Sequence, residues 1–451
     1  MILHWVDERL GTTAWARHGL RKVFPDHWSF LLGEVALFCL VVLVATGVFL
    51  TLFYVPDATP VTYEGPYAPL VGRTVSAAFE SVMRLSFEIR SGLVMRQIHH
   101  WAALVFVAAI TLHVMRIFFT GAFRRPREIN WLIGIGLLLL AIAMGITGYS
   151  LPDDLLSGTG LRIIYSAVIG IPFIGPYLAF LAFGGEFPTE TIISRLFVFH
   201  IMLLPALLIG GVVTHLLVLW VQKHSQFPGE GRTEHNVVGR SFWPTQVFKS
   251  TGLLFLTAAV LALMGGIFQI NAIWAYGPFD ATTVSAPAQP DWYVGWLDGA
   301  LRLWPPIEFT LLGITVPAPF VPGILIPGFL FTVLALWPFF EARVTHDHSA
   351  HQLLDRPRDR PVRTGLGVAG LLVFVMLTLA AGNDVAAIIF DIPVELMTDL
   401  LRIALLAVPL LGGLLAWRIC IELARSEHGL LSPPSVRLER NADGGFDETD
   451  S

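Results

Sequence analysis

The most constraining feature of this sequence is a series of long apolar segments that recurs along most of its 451 residues. A helix needs about 20 apolar residues to cross the hydrocarbon core of a bilayer. In that core a segment can satisfy its backbone hydrogen bonds only as a helix or in a closed barrel. Only 14% of the residues are charged and the mean hydropathy is +0.67, which excludes an ordinary water-soluble protein. The sequence therefore predicts an all-α integral membrane protein.

Hydropathy places eight candidate spans along the chain. They cover about residues 30–54, 92–119, 130–150, 196–221, 247–270, 322–340, 365–382 and 397–420. An even number of spans puts both termini on the same side of the membrane. Lys and Arg are retained on the cytoplasmic side during insertion, and 21 of the 29 lie on the side of the termini when residues at the span boundaries are counted. Both termini are therefore expected in the cytoplasm.

The spans divide the chain into four regions. They are a cytoplasmic N-terminal segment, a bundle of the first four spans, a C-terminal four-span region and an acidic cytoplasmic tail: 1–29, 30–221, 222–425 and 426–451. The polar composition of the tail predicts disorder. Two outer connections, Leu151 to Arg195 and Asn271 to Val321, are long and rich in Pro, Gly and aromatic residues, which makes them candidate binding elements. The net charge of −5 gives no indication of nucleic acid binding.

Cys39 and Cys420 are the two cysteines of the chain, and they lie near its opposite ends. They form neither a disulfide framework nor a thiolate metal site, and the Cys-x-x-Cys-His motif of covalent haem attachment is absent from the sequence. Any haem would therefore be held non-covalently.

Histidines within apolar segments carry the strongest functional signal, because ionisable side chains in a bilayer are costly. His99 and His113 lie 14 residues apart in the second span, about 40° off a shared face and about 21 Å apart along the helix axis. His200 and His215 lie 15 residues apart in the fourth span, about 60° off a shared face and about 22 Å apart. His100 is about 140° away from the face of His113. Two helices thus carry histidines at two matching levels.

Neutral imidazole is a common axial ligand of haem iron, and one histidine from each of two facing helices gives a six-coordinate iron suited to electron transfer. Both helices run inward from the outer face. His99 is therefore expected to pair with His200 near that face, and His113 with His215 near the cytoplasm. The interpretation predicts two haems stacked within the first four spans. One such histidine alone could equally make a polar helix–helix contact, but four at matching spacings argue against that reading.

Glycines at the same period occur in the other two spans of this bundle. Gly33 and Gly47 lie 14 residues apart in the first span, and Gly134 and Gly148 lie 14 apart in the third. A flat haem between helices requires close backbone approach, which glycine allows. By itself a glycine pair would indicate ordinary helix packing.

Two arginines flank the histidines of the second span. Arg96 and Arg116 lie one helical turn from His99 and His113, so each is a candidate to pair with haem propionates. Arginines at span ends also serve as interface anchors.

These patterns resemble cytochrome b of the cytochrome bc and bf complexes: Arg96-x-x-His99-x(13)-His113-x-x-Arg116, the paired glycines and His200-x(14)-His215. The resemblance covers the chain to about residue 425, and the run Met95 to Trp131 is similar to the actinobacterial branch. It implies a proton-translocating quinol:cytochrome c reductase in a bacterial cell membrane, with menaquinol as the quinol. It further implies quinol oxidation at an outer site and electron transfer through two b-type haems to an inner quinone site.

The resemblance also implies that the chain acts only within a larger assembly. The implied partners are a Rieske iron–sulfur subunit, a cytochrome c subunit, a haem–copper oxidase in a supercomplex and a second copy of the chain in a homodimer.

The motif Pro290-Asp291-Trp292-Tyr293 in the fifth–sixth connection is similar to the family's Pro-Glu-Trp-Tyr motif at the outer site. The resemblance implies that Asp291, one methylene shorter than Glu, accepts a quinol proton and that Tyr293 belongs to the same catalytic site. A carboxylate beside an apolar pocket can shift its pKa toward the working pH. Without the histidines, the motif would indicate a turn with an aromatic anchor. Tyr149 is expected to help wall this site.

The inner site departs from the family pattern. Trp220 stands where some members have a histidine, and His224 follows it. Lys249 and Ser250 occupy the place of a common Lys-Asp pair. His224, Lys249 and Ser250 are therefore the candidate residues for the inner quinone site.

Two other classes of membrane protein fit the sequence less well. A dihaem anchor of a quinone-linked dehydrogenase usually has four or five spans and lacks long outer connections. A secondary transporter should show an inverted repeat or helices broken at the midplane, and neither is visible in the sequence.

Overall fold

A computed structural model describes residues 2–11, 13, 19–283, 289–431, 436–440 and 446–450. Eight helices within these ranges are long and apolar enough to cross a membrane. They are Trp28–Thr51, Gly92–Phe119, Glu128–Tyr149, Ile192–Gln222, Phe242–Ile267, Val321–Thr345, Pro361–Ala380 and Val394–Arg425. Each overlaps one predicted span, so the eight-span, mostly helical architecture predicted from hydropathy is confirmed.

Short helices and strands connect the spans. The helices are Ile2–Leu10, Ala77–Phe87, Leu155–Ile169, Gly175–Phe183, Ile273–Tyr276, Trp292–Leu303 and Asn383–Phe390. The strands form antiparallel pairs between β1 (Val23–Phe24) and β4 (Arg240–Ser241), β2 (Pro60–Thr62) and β3 (Thr74–Ser76), and β5 (Phe309–Leu311) and β6 (Ile314–Val316). The two long outer connections therefore contain defined secondary structure.

These two outer connections are bonded to each other. The Leu155 backbone N–H donates to the Gly277 carbonyl at 2.9 Å, and the Phe279 N–H donates to the Asp153 carbonyl at 2.9 Å. Asp154 caps helix Leu155–Ile169 by accepting from the first turn of that helix. This pairing holds the connection after the third span against the connection that leads to Asp291.

The structure describes part of the acidic tail, for which disorder stays a prediction. The last helix continues to Leu431, and β7 (Val436–Arg440) pairs antiparallel with β8 (Phe446–Asp450). Polar composition argues against a packed core, but it does not prevent backbone pairing between two neighbouring strands. The rest of this tail, 432–435, 441–445 and 451, lies outside the described residues.

Helix packing builds the bundle around the second span. The first span packs along the second and the third along the fourth, while the fifth span packs against the first and second. The seventh span packs against the eighth and against helix Trp292–Leu303. A buried apolar cluster lies between the two histidine levels: Ala36, Cys39, Leu40, Ala102, Phe106, Leu138, Ala141 and Leu208. This apolar layer separates the outer and inner halves of the bundle.

The fourth span contains a wide turn that includes its first histidine, His200. Phe199–Leu203 is a π-helical segment in which the Leu204 N–H donates to the Phe199 carbonyl. A π turn takes up one extra residue. The 15-residue separation of His200 and His215 is thus equivalent to 14 residues of regular helix, about 40° off a shared face. The two helices therefore match more closely than the sequence spacing alone predicted.

Candidate functional site

His99 and His200 face each other between the second and fourth spans. Their ring centroids lie 6.2 Å apart, with an angle of 70° between the ring planes. A metal ion held between two imidazole nitrogens at about 2 Å from each leaves the centroids roughly 6 Å apart. The spacing of this outer pair therefore fits one iron ion between the two rings.

A threonine holds each ring of the outer pair. Thr46 Oγ1 lies 2.9 Å from His99 Nδ1, and Thr147 Oγ1 lies 3.1 Å from His200 Nδ1. Each hydroxyl also donates to a backbone carbonyl one turn earlier in its own helix. The hydroxyl oxygen therefore accepts from the ring Nδ1–H, which leaves Nε2 as the unprotonated nitrogen of a neutral imidazole. That is the form that binds iron.

His113 and His215 lie at the inner level. Both line a cavity of about 420 Å³ formed by residues of the first five spans and of the segments next to them. Nδ1 of each ring is buried and has no hydrogen-bond partner among the described residues. The cavity thus leaves space beside both rings for a bound group.

Each of the four predicted glycines faces one of the four histidines. A Cβ placed in the ideal position on each glycine would lie close to Cε1 of the facing histidine. The distances are 3.3 Å for Gly33 and His113, 3.4 Å for Gly47 and His99, 3.7 Å for Gly134 and His215, and 2.5 Å for Gly148 and His200. A methyl group at Gly148 would overlap the ring of His200. The glycines thus let the first and third spans approach the histidine rings.

Each of the two predicted arginines has buried side-chain nitrogens without a partner among the described residues. Arg96 is buried and donates from Nη2 to the Asn271 carbonyl at 2.7 Å, while its Nε has no partner in the described part of the chain. The Arg116 guanidinium lies 4.2 Å from the Phe30 ring centroid, and its Nε and Nη2 likewise find no partner among the residues described. Buried guanidinium nitrogens strongly favour a carboxylate, so both sites fit propionate groups.

Asp291 lies at the start of helix Trp292–Leu303, between two hydrogen-bond donors. His100 Nε2 donates to its Oδ1 at 3.0 Å, and the Tyr293 hydroxyl donates to its Oδ2 at 3.2 Å. Burial first, and then the charge of Asp291, raises the pKa of Tyr293 well above its usual value. Tyr293 therefore remains a donor, and the carboxylate has a fixed orientation.

Tyr149 lies beside this group. Its ring centroid is 6.5 Å from that of His100, and its buried hydroxyl has no partner in the described ranges. Tyr149, Pro290, Asp291 and Tyr293 line a cleft of about 70 Å³. The Asp291 carboxylate and the Tyr149 ring therefore share one cleft.

His100 is the residue of this group that sequence analysis missed. Its position was predicted to lie off the face of the other histidines, but no role followed from that. The partner, Asp291, is 191 residues away in the chain. The sequence feature that could have indicated this role is a second histidine directly after His99, which lies on a different face of the helix.

The candidates for the inner quinone site lie in or next to the lining of the 420 Å³ cavity. His224 and Lys249 line it, and Ser250 Oγ donates to Glu34 Oε2 at 2.7 Å. Burial, followed by nearby arginines, lowers the pKa of His224 to about 4. Lys249 is paired with Asp26 at 2.6 Å. Glu34 was not singled out from the sequence, although a carboxyl group within an apolar span is itself a signal.

Comparisons with known proteins agree with one another. A family model described as "Cytochrome b(N-terminal)/b6/petB" matches residues 104–278. The cytochrome bc1 complex cytochrome b subunit of Mycobacterium tuberculosis is 50% identical over 427 residues, which cover 94% of this chain and 78% of that protein. The same subunit of Corynebacterium efficiens is 47% identical over 426 residues, covering 94% and 79%. A solved structure described as "Hyperthermophilic respiratory Complex III" shares the fold, with a TM-score of 0.64 at 20% identity over 92% of this chain and 99% of that one.

Proposed function

Because the chain belongs to the cytochrome b subunits of cytochrome bc1 complexes, we propose that it oxidises menaquinol at an outer site and reduces quinone at an inner site. Membership in this family implies haem as the cofactor. The observation that carries the proposal is the pair of histidine levels on the second and fourth spans, with Asp291 bonded to His100 directly beside the outer level.

Two b-type haems fit the two levels. His99 and His200 would hold the outer iron, and His113 and His215 the inner one. The 6.2 Å ring spacing, the glycines opposite each ring and the unpaired arginine nitrogens among the described residues support this assignment. Each haem, when bound, supplies an iron that accepts and gives up single electrons.

Asp291 is proposed to accept a proton at the outer site. Oxidation of a quinol to a quinone releases two electrons and two protons, and the carboxylate of Asp291 takes one of these protons. His100 and Tyr293 hold the two carboxylate oxygens, so the proton acceptor is oriented before the substrate binds. Tyr149 presents its buried hydroxyl to the same cleft.

One of the two electrons of quinol needs an acceptor on another subunit. A Rieske centre requires two cysteines and two histidines, whereas Cys39 and Cys420 are buried in different spans. Within the described residues, no group of three or more His, Cys, Asp or Glu could hold a metal ion. We therefore infer a Rieske subunit and a cytochrome c subunit as partners. The family resemblance adds a homodimer and a supercomplex with a haem–copper oxidase.

The chain is an integral membrane protein. We propose that it lies in the bacterial cell membrane with both termini in the cytoplasm, because 21 of its 29 Lys and Arg residues lie on that side. Protons released outside and taken up inside then contribute to proton-motive force.

The test of the outer site is quinol-dependent cytochrome c reduction in membranes, measured across pH. Asp291→Asn retains shape and hydrogen bonding but cannot accept a proton, so turnover should fall, by up to about 10²–10⁴-fold, with both haem spectra intact. Asp291→Glu should retain much of the activity. If Asp291→Asn matches the unmodified protein in rate and pH dependence, Asp291 is a structural turn residue.

His100→Ala serves as the companion variant. His100 lies off the face of the proposed ligands, so both haems should remain, while turnover falls because Asp291 loses the donor to its Oδ1. Loss of a haem in this variant would mean that His100, rather than His99, is the ligand.

A further inference from the structure

Glu34 is a carboxyl group within the first span that the proposed function does not yet use. It lies in the first turn of helix Leu31–Thr51 and lines the 420 Å³ cavity together with His113 and His215. An ionisable side chain within a membrane span is costly and is by default a functional candidate. The same cavity reaches His224 and Lys249, the candidates for the inner quinone site.

Both oxygens of Glu34 are bonded to neutral donors on the fifth span. Oε1 accepts from Gln246 Nε2 at 2.8 Å, and Oε2 accepts from Ser250 Oγ at 2.7 Å. The two donors also lie within 3.2 Å of each other. These contacts fix the carboxyl group at the cavity wall without neutralising it by a cation, so both the protonated and the ionised form can be held there.

A nearby carboxylate, Asp26, shows the contrasting arrangement. It is bonded to Lys249 and to Arg240, each at 2.6 Å, and the hydrogen bond from Lys249 lowers its pKa. Asp26 is therefore ionised at neutral pH and stays so. Glu34 instead has two neutral partners, Gln246 and Ser250.

The other charged and titratable groups around the cavity come from every element packed against Glu34. The N-terminal segment contributes Asp26 and His27, and the second span contributes His113 and Arg116. Arg127 precedes the third span, His215 lies in the fourth span and His224 follows it. Arg240 precedes the fifth span and Lys249 lies in it. Burial lowers the pKa of His224 to about 4 and also lowers that of His27. Both imidazoles are thus neutral hydrogen-bonding groups, and Glu34 is the carboxyl group among the described lining residues.

We propose that Glu34 delivers a proton to a quinone oxygen at the inner site; this rests on the inner quinone site of the proposed function. Reduction of a quinone to a quinol adds two electrons, supplied by the redox cofactors of the complex, and two protons. One proton leaves the Glu34 carboxyl O–H for a quinone oxygen, and the other comes from cytoplasmic water. The resulting carboxylate is held by Gln246 and Ser250 until it regains a proton from the cytoplasmic side.

The experiment uses the complete complex in membranes. The haems are reduced, excess menaquinone is added, and the rate of reoxidation of the inner haem is recorded across pH. In Glu34→Gln this rate should fall at least tenfold and lose its dependence on pH, while the first turnover of quinol oxidation at the outer site is unchanged. Glu34→Asp should recover part of the rate. Glu128→Gln, which removes a carboxyl group at the start of the third span but away from the cavity lining, should behave like the unmodified complex.

A second variant separates proton delivery from a structural tie between the first and fifth spans. Ser250→Ala keeps the carboxyl group but removes its contact with the fifth span at Oε2. The rate should therefore fall less than in Glu34→Gln and keep its dependence on pH. A normal pH profile in Glu34→Gln, or an equal loss of rate in Ser250→Ala and Glu34→Gln with both haems present, would overturn the role of Glu34 alone. If quinone fails to reoxidise the inner haem of the unmodified complex, the inner quinone site fails with it.

Discussion

Thr46 and Thr147 contact the outer histidines through the ring nitrogen that faces away from the proposed iron. A hydrogen bond accepted from Nδ1–H makes the imidazole a more basic ligand, which favours oxidised iron. Thr147→Val and Thr46→Val should therefore raise the midpoint potential of the outer haem. The shift should be on the order of tens of millivolts, since about 59 mV corresponds to a tenfold change in the equilibrium constant of a one-electron reaction.

A redox titration followed by optical spectroscopy measures this shift. The inner haem is the internal control, because Nδ1 of His113 and of His215 has no such partner in the described structure. An inner potential that moves as much as the outer one would show that the threonines act through general packing.

His224 gives a prediction about pH. Burial lowers its pKa to about 4 in the folded protein, below the value of about 6.5 in an unfolded chain. The neutral form is thus favoured on folding, so its contribution to stability is present above about pH 6.5 and is lost as the pH falls toward 4. Between about pH 5 and 8 the ring should not titrate.

His224→Asn tests this directly. The variant should weaken quinone binding, seen as a higher quinone concentration for half-maximal reoxidation of the inner haem. The pH dependence of the reaction should stay the same. Loss of an inflection between about pH 6 and 7 would show that His224 titrates near its ordinary pKa.

At the scale of the helices, Gly148 makes the tightest contact of the four glycines that face histidine rings. A methyl group there would lie 2.5 Å from His200 Cε1, whereas one at Gly136 meets nothing within 4 Å. Gly148→Ala should displace His200 and reduce the outer haem content, at a cost to stability of about 1–3 kcal/mol for overpacking. The inner haem should remain.

Gly136→Ala is the matched control on the same span and should keep both haems at full content. Haem content is measured from the pyridine haemochrome spectrum, and stability from thermal unfolding in detergent. Equal losses in the two variants would mean that the third span tolerates no added methyl group, irrespective of the histidine opposite.

The spans differ in how much of their geometry the sequence reveals. Apolar length is a local property, so all eight spans could be predicted. The two levels of the four histidines followed from their spacing along the second and fourth spans. The wide turn at Phe199–Leu203 could not, because a π turn leaves no clear pattern in hydropathy. The contacts from His100 to Asp291 and from Glu34 to Ser250 join residues far apart in the chain, and only the packed bundle brings them together.

At the scale of the whole molecule, the distribution of Lys and Arg predicts that both termini face the cytoplasm. A green fluorescent protein fused to the C-terminus should therefore be fluorescent, and an alkaline phosphatase fused there should be inactive. Fusions in the connection between the third and fourth spans should give the opposite result. An active phosphatase at the C-terminus would invert the membrane orientation and exchange the outer and inner sites.

Two haems held by four histidines are the basis of the proposed electron path across the membrane. The measurement that addresses this most directly is a reduced-minus-oxidised optical spectrum, titrated with potential, of the unmodified complex and of His113→Leu. The unmodified complex should show two b-type components of different midpoint potential, and His113→Leu should lose the inner one while the outer one remains at least in part. Both components at full occupancy in His113→Leu, or one component or none in the unmodified complex, would contradict the assignment.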